Sequence, residues 1–587
     1  VEGAFSGHGD RLVHVDGGGA LRDYSSSLSG LYGIDRSRFA IEANGETRWF
    51  DDLDPVRQHY YRETSLVETE YNAGSYTIHQ YDLTLGRAHV THVELRGAIP
   101  TDAHLTAFLT FAPEGRETQV GRLIHESGGP HDTQAVEVFH RNEHDYVTAS
   151  TGLDDVRAQV PERFDELLSE DAFELPREAA LDRYEDTHLS GDIIVSAPLE
   201  RQGRGARATL VTQLSDHSEV EREEALADLC HCALSHTSAD DIRAAARERA
   251  EIAVPESAPR QQAVRADLRV LSLLTAPSGA HIAAPEFDPF YTHSGGYGYT
   301  WFRDEAECAR HLLRSDELLG LDSKSELSTL ATFFCGTQLD DGSWPHRVWA
   351  IDGTLAPGWA NARVEGADGV EYQADQTASV VSFLATLLTE HETGISPALA
   401  GRIRRSIRAG VDALDDSLAE DGLPEPCQNL WENMIGRFTH TAATFLQAYA
   451  TVAAAPVDAN LSDHAAAQAS AVFEGLDRLW DDDREVYALR FREGSLDSRL
   501  DSGTFALVEA FAAYDRIGTV PPAALSRLET HVETTLDGLY REPVAGEDGV
   551  AGLVRFEDDP WRSADQTGEK LWSVSTAWGA HAAAELS

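Results

Sequence analysis

Lysine is almost missing from this 587-residue chain. It occurs only at Lys324 and Lys570, and every other Lys/Arg-class cation is arginine. Positive charge as a whole is scarce, with 48 Lys and Arg against 99 Asp and Glu and a formal net charge of −51. That shortage removes the basic face that a nucleic-acid partner would need. The acid is spread along the whole chain, so it reads as a hydrated carboxylate surface rather than as an acidic tail for a basic partner. Mutual repulsion on such a surface is tolerable in concentrated salt, where the Debye length is roughly 3 Å at 1 M, and a salt-loving source is expected. Disorder is excluded, because 42% of the residues are apolar. The five cysteines are odd in number and scattered, which rules out a disulfide framework and a zinc spacing. Cys230-His231-Cys232 looks metal-like, yet it sits in an Ala/Leu-rich helical segment and reads as packed thiols. No metal and no organic cofactor is expected. There is no apolar run of membrane-spanning length and no legible signal peptide. A cytoplasmic protein is the expectation, with secretion after processing as the alternative, since the first residue is Val1.

At this length the chain has room for two or three domains. Residues 1 to about 215 read as β. FAIEANGETRWF, 39–50, is two short runs around Asn44-Gly45, a hairpin signal. YTIHQYDLTLGRAHVTHVELRGAI, 76–99, gives two long alternating runs, and the pattern continues to ARATLVTQL at 206–214. Many strands with turn signals predict a large antiparallel β-sandwich. Residues 216–258 are acidic, Ala-rich and helical, and read as a helical linker ended by Val254-Pro255 and Ala258-Pro259. From 259 to the end the chain is helical. Ten candidate helices lie near 260–276, 301–315, 323–338, 375–392, 396–418, 438–455, 462–480, 501–517, 522–540 and 571–585. Their long loops, which hold most of the Gly, Trp and Arg, suit a barrel of paired helices whose loops gather at one end.

QNLWENMIGRFTHTAATFLQAYA, 428–450, reads as a loop entering a helix, with Phe438, Ala442, Phe445, Leu446 and Tyr449 on one apolar face and Thr439 or Thr441 as caps. Glu432 stands next to Trp431 at the loop end. An indole there can desolvate the carboxyl, raise its pKa and keep it protonated as a general acid, and its flat face suits a sugar ring. Equally, Trp431 can be a core anchor and Glu432 a solvated cap. In SGGYGYTWFRDEAE, 294–307, glycines let backbone approach a ligand, Arg303 offers a fixed fork of donors and Asp304 an acceptor-only carboxylate. Trp344 and Trp349 are candidate stacking platforms. Tyr372, Gln373 and Asp375 stand at a helix start, where an N-cap role for Asp375 competes with a role in the site.

Three segments, LWEN within 428–446, YTWFRDEAE at 299–307 and GLVRFEDD at 552–559, resemble the acid loop, the W-x-R-D signature and the G-x-x-R-Y/F segment of glycoside hydrolase family 15, the glucoamylases, in that family's order. The resemblance implies a prokaryotic two-domain layout, a β-sandwich followed by a six-pair (α/α) toroid, and an inverting exo-acting hydrolase releasing glucose from the non-reducing ends of α-glucans or maltooligosaccharides. Glucodextranase, trehalase and a non-catalytic glycan-binding protein on the same scaffold stay open. Glu432 would be the general acid. Trp301, Arg303, Asp304, Trp344, Trp431, Arg555 and Trp572 would hold the sugar, the last from the segment GEKLWSVSTAWGA at 568–580. Asn433 departs from the fungal pattern, which has a second Glu there. The toroid needs twelve helices, two more than the ten counted, and the family's catalytic base lies beyond Ser587. Either the last two helices belong to a part not included in these residues, or Glu569, three residues before Trp572, serves as the base.

Overall fold

The computed structural model describes residues 3–25, 28, 31–53, 55–126, 134–158, 183–185, 189–249, 254–284, 297–356, 372–391, 394–543, 549–561 and 568–587. Contacts divide the chain into two compact units: Val1–Tyr299 with Leu319–Leu321, and Thr300–Leu318 with Asp322–Ser587.

The first unit is built on two antiparallel sheets, of eight and ten strands among the described residues. Alternation along each strand sends one set of side chains inward. Val13, Leu21, Phe39 and Leu105 of one sheet meet Ile78, Val93, Val147 and Leu210 of the other in a single core. The expected hairpin is present: Tyr32–Ala43 pairs with Glu46–Trp49. Asn44 and Gly45 both take positive φ, 54° and 76°, which matches the right-handed twist of the two strands. The runs at 76–99 are the strands Tyr76–Leu85 and Ala88–Gly97.

The stretch expected as a linker is packed structure. Helices Arg222–Ser235 and Ala239–Glu248 lay Leu226, Leu229 and Ile242 against Tyr81, Val90 and Tyr146 of the ten-stranded sheet. Each such Leu or Ile contributes about 1.5–3 kcal/mol by leaving water.

From Gln261 on, ten α-helices are found among the described residues, Gln261–Leu274 in the first unit and nine in the second. The central one, Thr439–Ala454, is buried at twelve of its sixteen positions, so it reads as apolar nearly all round, as an interior helix should. Neither threonine caps it. The N-cap is Phe438, without a side-chain bond, and the Thr439 hydroxyl donates to the Ala488 carbonyl instead.

Candidate active site

The loop before that helix is a tight fold around Asn429. Its side-chain oxygen accepts from the backbone N–H groups of Asn433 and Met434, each at 3.0 Å. The N–H of Glu432 donates to the Asn429 carbonyl at 3.0 Å. This places Glu432 at φ +58°, a left-handed conformation that costs a non-glycine residue on the order of 1 kcal/mol and persists only where its surroundings impose it. Its carboxylate is nearly buried and asymmetric. Oε1 accepts from the Trp301 indole at 2.9 Å and from His346 Nε2 at 2.7 Å. Oε2 takes no hydrogen bond from the described residues.

The expectation that Trp431 keeps Glu432 protonated is corrected by this geometry. Burial alone pushes its pKa up, but His346, first through its hydrogen bond, then the Trp301 bond and the charge of Arg303 outweigh it and pull it below the ordinary carboxylate value. Trp431 directs its own N–H to Asp501 Oδ1, at 2.9 Å.

Arg303 opens the helix Phe302–Leu319. Its guanidinium donates to Gln373 Oε1 at 2.8 Å, Asp375 Oδ2 at 3.0 Å and Asp304 Oδ2 at 3.1 Å. Burial works against the charge, yet Asp304 and Asp375 more than restore it and hold the pKa above the ordinary arginine value. Asp375 therefore acts as the internal counter-ion of Arg303, while the Asp304 side chain is 55% exposed and open to a ligand. The glycines expected to flank this segment at 295 and 296 lie outside the described residues.

A second cluster adjoins Trp431. The rings of Trp572 and Trp578 lie 6.1 and 5.9 Å from it. The Arg555 guanidinium sits 4.4 Å over Trp572 and 5.4 Å from Trp431, fixed by a bidentate pair to Asp559 at 2.7 and 2.8 Å. The Trp572 indole N–H is buried and has no partner among the described residues. Trp578 donates to Glu307 at 2.5 Å, four residues after Arg303, so the two clusters close on each other. Asp501 is fully buried here, and burial pushes its carboxyl up to about 6 against the bonds from Trp431 and the Gly503 N–H.

Trp301, Arg303, Asp304, Trp431, Glu432, Arg555 and Trp572 are thus linked through these contacts. Two predicted residues are not. Trp344 is a core residue rather than a sugar platform: it is 2% exposed, and its indole donates to the Phe334 carbonyl at 2.9 Å. Glu569 makes a bidentate pair with Arg541 at 2.5 and 3.2 Å. A carboxylate clasped in this way is a clamp between two chain segments, and this contact lends no support to the expectation that it is the base. Sequence reasoning passed over His346, Asp501, Asp559 and Trp578. Asp559 and Trp578 stand inside segments already singled out. So does His346, between Trp344 and Trp349, although nothing there marked it out, and Asp501 gave no local signal.

The family profile of glycosyl hydrolases family 15 matches residues 259–582, and a domain of unknown function, DUF7997, matches residues 1–225. The chain belongs to glycosyl hydrolases family 15. Among curated proteins there is no match. Among solved structures, a bacterial glucoamylase complexed with acarbose is 11% identical with a TM-score of 0.66, over 99% of this chain and 85% of that one. That likeness shows the fold, a β-sandwich followed by the (α/α) toroid. A glycosidase variant in complex with glucose is 20% identical with a TM-score of 0.37, over 54% of this chain and 76% of that one. A family GH92 alpha-mannosidase from Bacteroides thetaiotaomicron in complex with mannoimidazole is 10% identical with a TM-score of 0.44, over 90% and 71%. Scores this low carry no functional argument. As a family 15 member the chain is a glycosidase acting on a glycan.

Proposed function

We propose that the chain is an inverting, exo-acting hydrolase of the glucan 1,4-alpha-glucosidase type, releasing glucose from the non-reducing ends of α-glucans or maltooligosaccharides. Glu432 is the general acid. The asymmetry of its carboxylate carries this reading: Oε1 is anchored by two donors and Oε2 is left to take the proton that the leaving oxygen receives. Trp431 and Trp572 supply faces for a sugar ring. The exposed oxygens of Asp304 and the Trp572 N–H supply an acceptor and a donor for its hydroxyls. Arg303 and Arg555 are each held by carboxylates, which fixes the two guanidiniums in place. Inversion needs a second carboxylate roughly 6.5–9.5 Å from the first, with water between; the residues assigned here are the acid half of that pair.

Glucose release from maltose, maltooligosaccharides, dextran and trehalose, measured in molar KCl for the wild type and Glu432→Gln, tests the reading. It predicts cleavage of the α-1,4 substrates and its loss in the variant. Cleavage of dextran or trehalose alone overturns the linkage, and sugar binding with no cleavage at all makes this a glycan-binding protein.

A further inference from the structure

Pro345-His346-Arg347 enters the short strand Arg347–Trp349, which pairs with the strand ending at Trp301. The pairing sets the His346 ring edge-on to Trp301, with centroids 6.3 Å apart, and both rings then present an N–H to the same oxygen of Glu432. The other nitrogen of His346, Nδ1, lies 2.9 Å from Arg347 Nη1. A guanidinium has donors only. Nδ1 must therefore accept, and the imidazole proton must sit on Nε2, pointing at Glu432. Arg347 is itself buried, 3% exposed. The result is a chain of fixed donors, Arg347 to His346 to Glu432, which neither substrate nor water needs to complete.

We propose that Arg347 and His346 form a donor chain that positions Glu432 for proton donation and stabilises the carboxylate it becomes. This deepens the glycosidase reading and rests on it. In the reaction a proton that the ionised carboxylate first takes up from solvent on Oε2 passes to the glycosidic oxygen, and the electron pair of the C1–O bond departs with that oxygen. Water adds to C1 and gives its proton to the base. Glu432 is left negative, and the N–H groups of His346 and Trp301 take up that charge at Oε1 without giving up a proton. Such preorganised donors, aimed where charge develops, require no rearrangement at the moment of reaction. His346 is thus a positioning residue, acting through Glu432.

From helix Phe302–Leu319, Glu432 faces Arg303, whose charge is balanced by Asp304 and by Asp375 of helix Ala374–His391. From the 345–349 segment it faces His346, backed by Arg347. Through Trp431 it adjoins Asp501 and Arg555. The only direct donors to Oε1 among the described residues are Trp301 and His346. A hydrogen bond to the charged form favours that form. Losing His346 therefore makes Glu432 a weaker acid that stays protonated to higher pH.

The test compares His346→Ala and His346→Leu, which remove the donor, with His346→Gln, which restores an N–H. In pH profiles of kcat/KM the first two should move the alkaline limb up by about one unit or more and lower the acid-side plateau about tenfold, while His346→Gln returns the limb toward the wild type. Leu fills the space that Ala vacates, so one donor-free variant keeps the side-chain volume. An activity-free readout runs in parallel: the carboxyl ¹³C titration of Glu432 in the full chain, its resonance identified by loss in Glu432→Gln. It should shift upward in both donor-free variants. A limb and a titration that are the same with and without the donor overturn the proposal. If no glucan is cleaved but the titration shifts, the donor chain stands and the function assigned to it falls.

Discussion

Two buried glutamates, one in each unit, are both held by histidine, and the difference between them is that between a carboxylate with both oxygens engaged and the one proposed as the acid. In the β-sheet unit, Glu137 accepts from His144 Nδ1 at 2.5 Å, His125 Nε2 at 2.7 Å and Arg222 Nε at 3.1 and 3.0 Å, so each oxygen has two donors. Burial pushes its pKa up, and the two histidines with Arg222 more than reverse this, leaving it well below the usual carboxylate range. His217, stacked 3.5 Å from His144, completes a trio close enough to hold a metal. The Glu137 oxygens, however, are already saturated, and Arg222 occupies the place of a cation. Glu432 has the same kind of histidine bond but on one oxygen only. A carboxylate with every lone pair engaged can only hold structure, whereas one with an oxygen in reserve can move a proton.

The largest expected effects break that comparison directly. Glu432→Gln should keep the melting temperature and the sugar affinity but lose 10²–10⁴ in kcat, an order typical of an acid–base residue. Glu137→Gln should do the reverse, costing roughly 1–3 kcal/mol of stability by weakening the hold on buried His144 and on the partly exposed His125 and Arg222, with no change in kcat per folded molecule. Urea melts and initial rates on both variants check this. The pH dependence follows the same division. Because the folded pKa of Glu137 is lowered, its contribution is complete above the unfolded value of about 4.3 and is lost as pH falls toward the folded one.

Next come the tryptophans. Trp344→Ala should cost about 3–5 kcal/mol of stability as a core truncation and leave the KM of the folded enzyme unchanged. Trp572→Ala should raise KM with a small stability change. Chemical denaturation beside Michaelis kinetics separates them.

Asp501 gives a smaller effect with the opposite sign from Glu137. With its carboxyl raised to about 6, the folded state keeps a proton that the unfolded chain has already lost. Stability should therefore fall as pH rises from about 4 to about 6, by on the order of 2–3 kcal/mol. Asp501→Asn should flatten that slope in thermal melts. Smallest per residue, though summed over the whole surface, is salt. Melting temperature should rise steeply across a KCl series below about 0.5 M if the −51 net charge is what screening relieves. A flat series would remove the salt-loving reading.

The sequence disclosed what is periodic or local. Ten helices were expected and ten are described, because amphipathic or buried runs at 3.6-residue spacing declare themselves. The expected helix 501–517 is a 3₁₀ turn, Ser502–Phe505, capped by Asp501, followed by Ala506–Asp515. The turn was hidden because it rests on a single side-chain cap. Glu432, both arginines and three of the four tryptophans gathered here, Trp301, Trp431 and Trp572, were legible within short segments. His346 and Asp501 were not, since their partners lie 86 and 70 residues away. Trp344 misled for a physical reason that a motif cannot carry. It packs inside against Gly410, where a Cβ would stand 2.5 Å from Val381 and 3.1 Å from the indole, a contact between a helix and a loop far away in sequence. The Glu432 pKa was misread in the same way: its neighbour in sequence, Trp431, is not its neighbour in hydrogen bonding.

The most direct test of the central claim is where a trapped substrate puts its scissile oxygen. In a crystal structure of the Glu432→Gln variant with maltotriose, the account predicts the glycosidic oxygen within about 2.6–3.2 Å of the residue-432 side chain, on the Oε2 side. The terminal sugar should lie against Trp431 and Trp572, with hydroxyls on Asp304. A maltotriose seated elsewhere, or one whose glycosidic oxygen lies beyond hydrogen-bond reach of residue 432, would contradict Glu432 as the acid.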